Sequence, residues 1–275
     1  MFRLFLNVMT EFIVSHQTAI RLSFFCVILA VMMAWEFGAP RRVLSVARSR
    51  RWTSNLGIVA LNTVALRLIF PIAAVGVAAI AADRGWGLLN SITLPDWIAI
   101  VFAVVVLDFA IYTQHVAFHK VPILWRLHRM HHTDVDIDTT TGIRFHPIEI
   151  ALSMAIKMGV IVALGAPAVA VIIFEVLLNA TSLFNHGNVR LSGRIDRMLR
   201  RIVVTPDFHR VHHSVHRDET DSNYGFNLPV WDYLFGTYRA QPRDGHRGMT
   251  IGLDIFREPV RGRLDQLLIQ PFLKG

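Results

Sequence analysis

Long apolar stretches separated by short polar connections are the dominant pattern in this chain of 275 residues. They cover about residues 22–37, 56–82, 97–112, 148–164 and 168–183, and the second is interrupted by Arg67 and Pro71. A full membrane crossing needs about 20 predominantly apolar residues. The first stretch lacks a basic region directly before it and an A-x-A cleavage site, so it reads as a retained span rather than a signal peptide. The pattern therefore predicts an all-α integral membrane protein with about four to five membrane-embedded helices.

The last two apolar stretches are short and are separated only by Gly165, Ala166 and Pro167. Two alternatives fit this arrangement. The pair forms either two tilted helices that each cross the membrane or a hairpin that enters and leaves on the same side. Both alternatives return the chain to the face from which it started.

Basic residues in the connections predict the orientation, because cytoplasmic loops carry an excess of Lys and Arg. The loop between the second and third spans holds only Arg84, which Asp83 offsets. The other connections are rich in basic residues: Arg41, Arg42, Arg48, Arg50, Arg51, Lys120, Arg126, Arg129, Arg190, Arg194, Arg197, Arg200 and Arg201. All of these fall on one face, which we expect to be cytoplasmic and to carry the histidines as a helical cap. A multi-pass protein of this kind would lie in the cell inner membrane if the chain is bacterial.

Composition agrees with a membrane protein. Hydrophobic residues make up 53% of the chain and charged residues only 17%, against about 25% charged in soluble domains. The net charge of +8 is assigned to loops and headgroup contacts, and no basic, aromatic-interleaved motif points to a nucleic-acid partner. Cys26 is the single cysteine, which excludes an intrachain disulfide and a cysteine-based metal site.

Histidine carries the candidate chemistry. Of 13 histidines, eight fall in three clusters: His115-x-x-x-His119, His128-x-x-His131-His132 and His209-x-x-His212-His213. Residues three and four apart share a helix face, so each cluster is expected to aim two or three imidazoles at one point. Imidazole suits iron, zinc, copper or nickel. Eight donors are too many for one ion with an open position, so the clusters predict two metal ions.

The absence of other motifs narrows the chemistry. Arg129 and Arg210 follow the first histidine of their clusters, which excludes the H-E-x-x-H arrangement of zinc proteases. A nearly all-nitrogen donor set beside a bilayer suits the O2-dependent oxidation of a lipid C–H bond. Two alternatives stay open: a zinc-dependent hydrolase or isomerase, and a non-catalytic metal-binding membrane protein. The chain shows no flavin or haem motif, so an oxidase would need a separate electron donor.

Five segments resemble the fatty acid hydroxylase / sterol desaturase superfamily. They are DFAIYTQHVAFHKVPILWRLHRMHH at residues 108–132, RFHPIE at 144–149, FNHGN at 184–188, TPDFHRVHHS at 205–214 and NYG through WDYLFGTY at 223–238. Val116 stands where the family often has Arg, which affects a supporting position and not a ligand. The resemblance covers about half of the chain.

The resemblance implies a membrane oxidase with two iron ions, O2 as co-substrate and zinc as an ion that a purified sample could carry instead. It implies a lipid or sterol-like substrate from the bilayer and a ferredoxin-like or cytochrome b5-like electron donor. Hydroxylation is favoured over desaturation. The implied metal ligands are His115, His119, His128, His131, His132, His186, His209, His212 and His213.

Five further polar residues are candidates for a supporting role. For His146 three roles stay open: a metal ligand, a residue that supports a ligand, or a contact with lipid headgroups. His216 lies four residues after His212, and for it we favour a position outside the ligand set. Asp108, two turns before His115, is expected to bond a ligating imidazole, or else to pair with Arg67. Glu175 and Asn179 form a polar stripe with His186. For this stripe we favour a supporting or substrate-cavity role over a packed interhelical hydrogen bond.

The expected organisation is an N-terminal membrane region (residues 1–94), a catalytic histidine domain that includes the membrane hairpin (95–240) and a C-terminal tail (241–275). The tail ends in a short stretch, LDQLLIQPF, that fits an amphipathic helix on the membrane surface. Packing under the histidine cap is the alternative.

Overall fold

The computed structural model describes residue 9 and residues 11–274, so the first and last positions of the predicted N-terminal and C-terminal regions lie outside the described residues. From Gln17 onwards the α-helices are α1 (Gln17–Gly38), α2 (Arg48–Ile69), α3 (Ala74–Asp83), α4 (Asp96–Lys120), α5 (Pro122–His132), α6 (Pro147–Leu164), α7 (Ala168–Asn185), α8 (Gly193–Leu199), α9 (Pro206–His212), α10 (Arg217–Thr220), α11 (Val230–Leu234), α12 (Gly245–Gly248) and α13 (Leu264–Ile269). Extended pairing among the described residues is limited to the isolated bridges Pro40–Val189 and Ser214–Ile251.

Within the described residues, five segments are long and apolar enough to cross a membrane, which agrees with the predicted number. They are Gln17–Gly38, Arg48–Asn90, Asp96–Lys120, Pro147–Leu164 and Ala168–Asn185. Small and branched apolar side chains from α3, α4, α6 and α7 form the largest buried cluster between them. The protein is therefore an all-helical, multi-pass membrane protein.

The second span is broken into α2 and α3. Helix α2 ends at Ile69 and α3 begins at Ala74, because Pro71 has no backbone N–H to continue the ladder and disfavours helical geometry at Phe70. Helix α2 also begins eight residues before the predicted stretch. Its polar first turns are buried at Arg51 and Asn55 against the segment that follows α5.

Helices α6 and α7 form an antiparallel hairpin that reaches the end of the bundle opposite the histidines. Gly165 ends α6 with φ of 68°, a left-handed conformation that glycine adopts at no steric cost. A side chain there would collide with the carbonyl of Trp86 and the amide of Asn90, which lie between α3 and α4. The structure therefore agrees with two helices that each extend along the whole bundle, and not with a short hairpin confined to one side of it.

A cap of short helices covers the other end of the bundle, and the C-terminal tail packs beneath it. Arg129 of α5 donates hydrogen bonds to the carbonyls of Gln270 and Leu273, both at 2.6 Å. Leu267 of α13 is fully buried against Ile58 and Met130. The tail therefore packs under the cap, which was the alternative, and its position relative to the membrane surface stays a prediction.

A buried ionic network fixes the segment between α5 and α6. Arg51 donates to both oxygens of Asp134, at 2.9 and 2.8 Å, and also pairs with Asp138. Arg144 lies against Asp134 at 3.5 Å and donates to the carbonyl of Met130 at 3.1 Å. Because each buried charge has an opposite partner, the network holds residues 133–146 in one position above α2.

Candidate metal centre

Nine buried histidines meet beneath the cap, and they are the nine that the sequence predicted as ligands. Helix α4 contributes His115 and His119 at its last turns, and His186 follows the final residue of α7. Helices α5 and α9 begin with Pro at the first helical position, where the missing N–H costs nothing. These two short helices, with the residue that follows α9, supply the remaining six: His128, His131, His132, His209, His212 and His213.

The imidazoles divide into two groups. Within each group the candidate ligand atoms all lie within 4.8 Å of one another. The five-histidine group contains His115, His119, His128, His132 and His212, and the four-histidine group contains His131, His186, His209 and His213.

The division does not follow the clusters in the sequence. His128 and His132, four residues apart, share one group, whereas His131 joins the other. The third cluster divides in the same way, with His209 and His213 in one group and His212 in the other. Each cluster thus aims two imidazoles at one point, as expected, and the remaining histidine of the second and third clusters joins the other group, because their helices pass between the two groups and present a face to each.

Hydrogen bonds on the outer side of the rings fix several imidazoles in the five-histidine group. The Nδ1 atom of His128 lies 2.6 Å from the Glu149 carboxylate, and that of His119 lies 3.3 Å from Asp221. The Nδ1 atoms of His115 and His212 each lie 2.7 Å from a backbone carbonyl, those of Tyr224 and Ser222 respectively.

In the four-histidine group the outer contacts are with backbone carbonyls. His131 Nδ1 lies 3.2 Å from the carbonyl of Arg144, and His186 Nδ1 lies 2.8 Å from that of Ser182. Carbonyls and carboxylates only accept hydrogen bonds, so each partnered Nδ1 carries the ring hydrogen and its Nε2 presents a lone pair inwards.

These inward lone pairs face one another at short distance. The Nε2 atoms of His115 and His128 are 3.1 Å apart, and so are those of His131 and His186. Two lone pairs at that distance repel unless a cation lies between them. The Nε2 atoms of His119, His132, His212 and His213 are also buried without a hydrogen-bond partner. The donor set therefore fits a metal ion in each group.

Six of the rings outside the membrane spans are held neutral, which is the form that binds metal. Burial disfavours the charged ring, and neighbouring imidazoles add to the effect. The pKa of His186 falls to about 3. The pKa lies well below the ordinary histidine value for His131, His132, His209, His212 and His213.

An apolar cavity of about 240 Å³ ends at the five-histidine group. Side chains of α2, α4, α6 and α7 line it, and His115 and His128 lie in its wall. Phe145 and Phe226 complete the wall beside them, with the Phe226 ring 5.4 Å from His115 and the Phe145 ring 4.5 Å from His131. None of the four-histidine group lines this cavity, so the two groups differ in their access to a ligand in the bilayer.

Asp108 contacts neither a histidine nor Arg67. Its Oδ2 atom accepts a 2.8 Å hydrogen bond from the indole N–H of Trp231 on α11, while Arg67 is exposed. The two turns between Asp108 and His115 separate the residues by about 10 Å along α4, too far for the carboxylate to reach the ring. Both predictions for Asp108 are wrong.

The predicted polar stripe on α7 divides into three roles. Glu175 forms ion pairs with Lys157 of α6 and with Arg21 of α1, so it joins helices and does not support a histidine. Asn179 lines the cavity and donates to the Glu175 carbonyl at 2.7 Å. The predicted supporting or substrate-cavity role is thus wrong for Glu175. Asn179 lines the cavity, and His186 belongs to the four-histidine group.

His146 and His216 lie outside both groups. His146 caps the N-terminus of α6 by accepting from the backbone N–H of Ile148 at 3.2 Å, and its other nitrogen lies 3.2 Å from the Leu268 carbonyl. His216 pairs with Asp244 at 2.8 Å near the surface. Neither the supporting role nor the headgroup contact describes His146.

Glu149 and Asp221 are the supporting residues that the sequence did not single out. Glu149 stands 21 positions after His128 and Asp221 stands 102 positions after His119. Neither spacing is periodic, so a local pattern could not have found them. The one available signal was a buried acidic residue in the first turn of an apolar helix, at Glu149.

Comparisons with known proteins agree with this site. The model of the family described as fatty acid hydroxylase matches residues 100–237. Ornithine lipid hydroxylase OlsE of Rhizobium tropici is 32% identical over 63% of this chain and 50% of its own length. Alkylglycerol monooxygenase is 28% identical in Homo sapiens, over 58% of this chain and 35% of the relative. In Xenopus tropicalis it is 25% identical, over 90% and 52%.

The chain thus spans about half or less of the length of these relatives. No solved structure gives a significant match. The family match, over residues 100–237, includes all nine histidines and covers half of the chain. The resemblance seen in the sequence is confirmed, and the chain belongs to the fatty acid hydroxylase family.

Proposed function

We propose that this protein is a membrane-bound, metal-dependent oxidase that uses O2 to hydroxylate a C–H bond of a lipid. One observation carries the proposal: the apolar cavity between the membrane helices ends on His115 and His128 of the five-histidine group. A lipid that enters from the bilayer would meet the candidate metal centre without passing through water. The named relatives are a lipid hydroxylase and a monooxygenase, which supports an oxygenase over the hydrolase, isomerase or non-catalytic alternatives.

Each histidine group would hold one ion, and iron is the metal that we propose for both. Bound iron would supply the activation of O2 against a C–H bond. The residues of this chain keep the donors in place: Glu149 and Tyr224 orient His128 and His115 through their Nδ1 atoms. Partners of this kind are worth about 10–100-fold in metal affinity or activity.

The cavity wall excludes water from the reacting end of the substrate. Phe145 and Phe226 line the cavity beside His115 and His128, with their rings 6.4 Å apart. A dry wall suits oxidation, because it protects a reactive centre from side reactions with water.

Three side chains in the wall favour a substrate with a polar group near the oxidised carbon. Asn62, Gln114 and Glu149 each have one side-chain oxygen that receives no hydrogen bond from the described residues. The amide nitrogen of Asn62 donates one hydrogen bond, to the Phe145 carbonyl at 2.9 Å, and its oxygen stays unpaired. Acceptors therefore remain, and a hydroxyl or amide N–H of the lipid would satisfy them.

The volume of the cavity suits a lipid of which only one end enters. At about 240 Å³ it is smaller than the roughly 300–1,000 Å³ of pockets that enclose whole drug-sized ligands. We propose that one end of the lipid enters while the rest of its chain stays in the bilayer.

The test uses the full chain in lipid nanodiscs loaded with ferrous iron. With a chemical reductant and O2, it should consume oxygen and add one oxygen atom to a lipid of a mixed panel, as measured by mass spectrometry. A product that has lost two hydrogens instead would indicate desaturation. His216→Ala is the matched control, because it removes a histidine that lies outside both groups. Substrate-stimulated turnover that persists in a metal-free sample would overturn the proposal.

The electron donor, the cytoplasmic position of the cap and the inner membrane are part of the same proposal. A small ferredoxin-like or cytochrome b5-like protein would deliver electrons to the cap from the aqueous side. Replacement of the chemical reductant by each donor with its reductase distinguishes the two classes through the rate of product formation.

A further inference from the structure

Helix α11 is only five residues long, and it packs against the membrane helix α4. The Trp231 ring is 4.8 Å from Phe109 of α4, and the Phe235 ring is 5.6 Å from Tyr112. The indole of Trp231 also donates to Asp108. These contacts attach α11 to the flank of α4 and not to its end.

The length of α4 indicates how deep in the membrane these contacts lie. Phe109 precedes Lys120, the last residue of α4, by 11 positions, or about 16 Å at 1.5 Å per residue. The 25 residues of α4 span about 37 Å, roughly 7 Å more than the ~30 Å hydrocarbon core. Even if all the excess projects on the histidine side, Phe109 lies about 9 Å inside the hydrocarbon layer.

The outer face of α11 is apolar. Leu234 is 67% exposed and Phe235 is 57% exposed within the described chain. Aqueous exposure of two such large apolar side chains side by side is unfavourable, whereas lipid at this depth would cover them. Their surface continues that of Phe109, which is itself exposed on the membrane helix.

Helix α8 and the residues after it extend this surface towards the headgroups. Ile195, Met198 and Ile202 are 49%, 61% and 72% exposed. Ile195 and Met198, three residues apart, share one side of α8, and Ile202 lies in the turn that follows the helix. Three arginines alternate with them and are also exposed: Arg194, Arg197 and Arg201. Arg200 behaves differently, because it turns inwards to pair with Asp196.

The two helices are held together as one unit. The Tyr233 hydroxyl of α11 donates to the Arg200 carbonyl at 2.9 Å, and the Tyr233 ring lies 4.5 Å from Tyr238. Residues 194–202 and 230–235 thus form a continuous surface, which we name the cap wedge. Its apolar side chains are grouped at the depth of α4, and its arginines lie on the α8 side.

We propose that the cap wedge is inserted into the leaflet next to the cap, where it binds anionic phospholipids. Leu234 and Phe235 would lie among the acyl chains, and Arg194, Arg197 and Arg201 would contact phosphate groups. The combination of an apolar face with arginines at its edge is typical of helices that lie in the membrane interface. The occupant is lipid, and neither a second copy of the chain nor an acidic protein partner.

Depth measurement with a fluorescent probe tests the insertion. In a Cys26→Ser background, single cysteines at Ile202, Leu234 and, as a control, Arg243 are labelled with bimane in nanodiscs that hold one chain each. Phospholipids brominated along the acyl chain should quench the probe at Leu234 most and at Ile202 by a smaller amount. The Arg243 probe, on the exposed aqueous side of the cap, should keep its fluorescence. Quenching at Leu234 no greater than at Arg243 would overturn the proposal, whether a second copy or another protein covers the face instead.

Charge neutralisation tests the lipid class. Quenching at Ile202 should increase when part of the neutral lipid is replaced by phosphatidylglycerol, and the triple variant Arg194→Gln, Arg197→Gln and Arg201→Gln should lose this increase. The matched triple variant Arg243→Gln, Arg247→Gln and Arg263→Gln removes the same charge from other exposed sites and should keep it. An unchanged response in the first variant contradicts phosphate binding by the wedge. Retained metal content in each variant shows that the cap has folded.

Discussion

The two histidine groups are built from the same donor atom but have different surroundings. The five-histidine group borders the cavity and is supported by the carboxylates of Glu149 and Asp221. The histidines of the four-histidine group do not line the cavity. Backbone carbonyls support them, and one of these carbonyls belongs to Arg144 of the buried ionic network.

This difference indicates a division of labour. A carboxylate partner makes an imidazole a stronger donor than a neutral carbonyl does, so the five-histidine group is tuned where the substrate would arrive. The four-histidine group depends on the rigidity of residues 133–146, which Arg51 holds from α2. Carboxylate charges thus adjust the donor strength of the five-histidine group, whereas the position of the backbone fixes the rings of the four-histidine group.

Removal of one donor from each group gives the largest expected effect. His128→Ala and His213→Ala should each lower the metal content from two ions per chain to one, because a buried donor set with a missing member no longer encloses its ion. His128→Ala should abolish product formation and substrate-dependent oxygen uptake. Metal analysis and turnover with the His216→Ala control check this, and loss of both ions from either variant would contradict two independent groups.

Loss of the Arg51 charge should act on the four-histidine group. Arg51 is 5% exposed between Asp134 and Asp138, and breaking such a buried pair costs about 3–5 kcal/mol. Arg51→Met should lower the thermal unfolding midpoint in micelles and release the ion of the four-histidine group first. Arg50→Met, an exposed position one residue away on α2, serves as the control. Equal loss of metal in the two variants would show that the network does not support this group.

Removal of the Glu149 charge should weaken the five-histidine group alone. Glu149→Gln keeps an oxygen that can accept from His128, so we expect a decrease of about 10–100-fold in metal affinity and no change of fold. Competition with a chelator, in a His213→Ala background that retains one ion, measures this affinity. The same variant in a His128→Ala background should have unchanged affinity for the remaining ion. A decrease there would mean that the two groups are coupled.

Acid should destabilise the outer support of α9, which carries donors of both groups. Burial lowers the pKa of His246 to about 4, and its ring lies 3.8 Å from Asp207. An unfolded chain binds a proton at this residue near pH 6.5. As the pH falls below 6.5, the unfolded state therefore takes up a proton that the folded state does not, and stability is lost until about pH 4 is reached.

The expected size of this effect is about 2 kcal/mol between pH 7 and pH 5 for the single group. His246→Gln removes the titration, so the difference in unfolding midpoint between wild type and variant should narrow as the pH falls. Thermal unfolding of metal-free protein at both pH values measures it. A constant difference would show that His246 keeps its ordinary pKa in the folded protein.

The sequence predicted the spans and the eight clustered histidines because both are local signals, and the family resemblance added His186. Hydropathy identifies a membrane helix within about 20 residues, and the clusters are themselves short motifs. The start of α2 at Arg48 was missed because its polar first turns are buried by the cap and not by lipid. The partners of Asp108, Glu175 and His146 were missed because each lies on another element, at Trp231, Lys157 and Leu268. Tertiary contacts of this kind leave no periodic trace in the chain.

The four-histidine group joins segments that are far apart in the chain, since His131, His186 and His209 come from three separate helices. An ion held there would act as a cross-link between α5, α7 and α9, and its binding energy would become part of the folding energy. Iron supply would then govern the lifetime of the protein as well as its catalysis. In iron-starved cells the unloaded chain would open more often and be degraded sooner, so its abundance would follow the nutrient without any dedicated regulator.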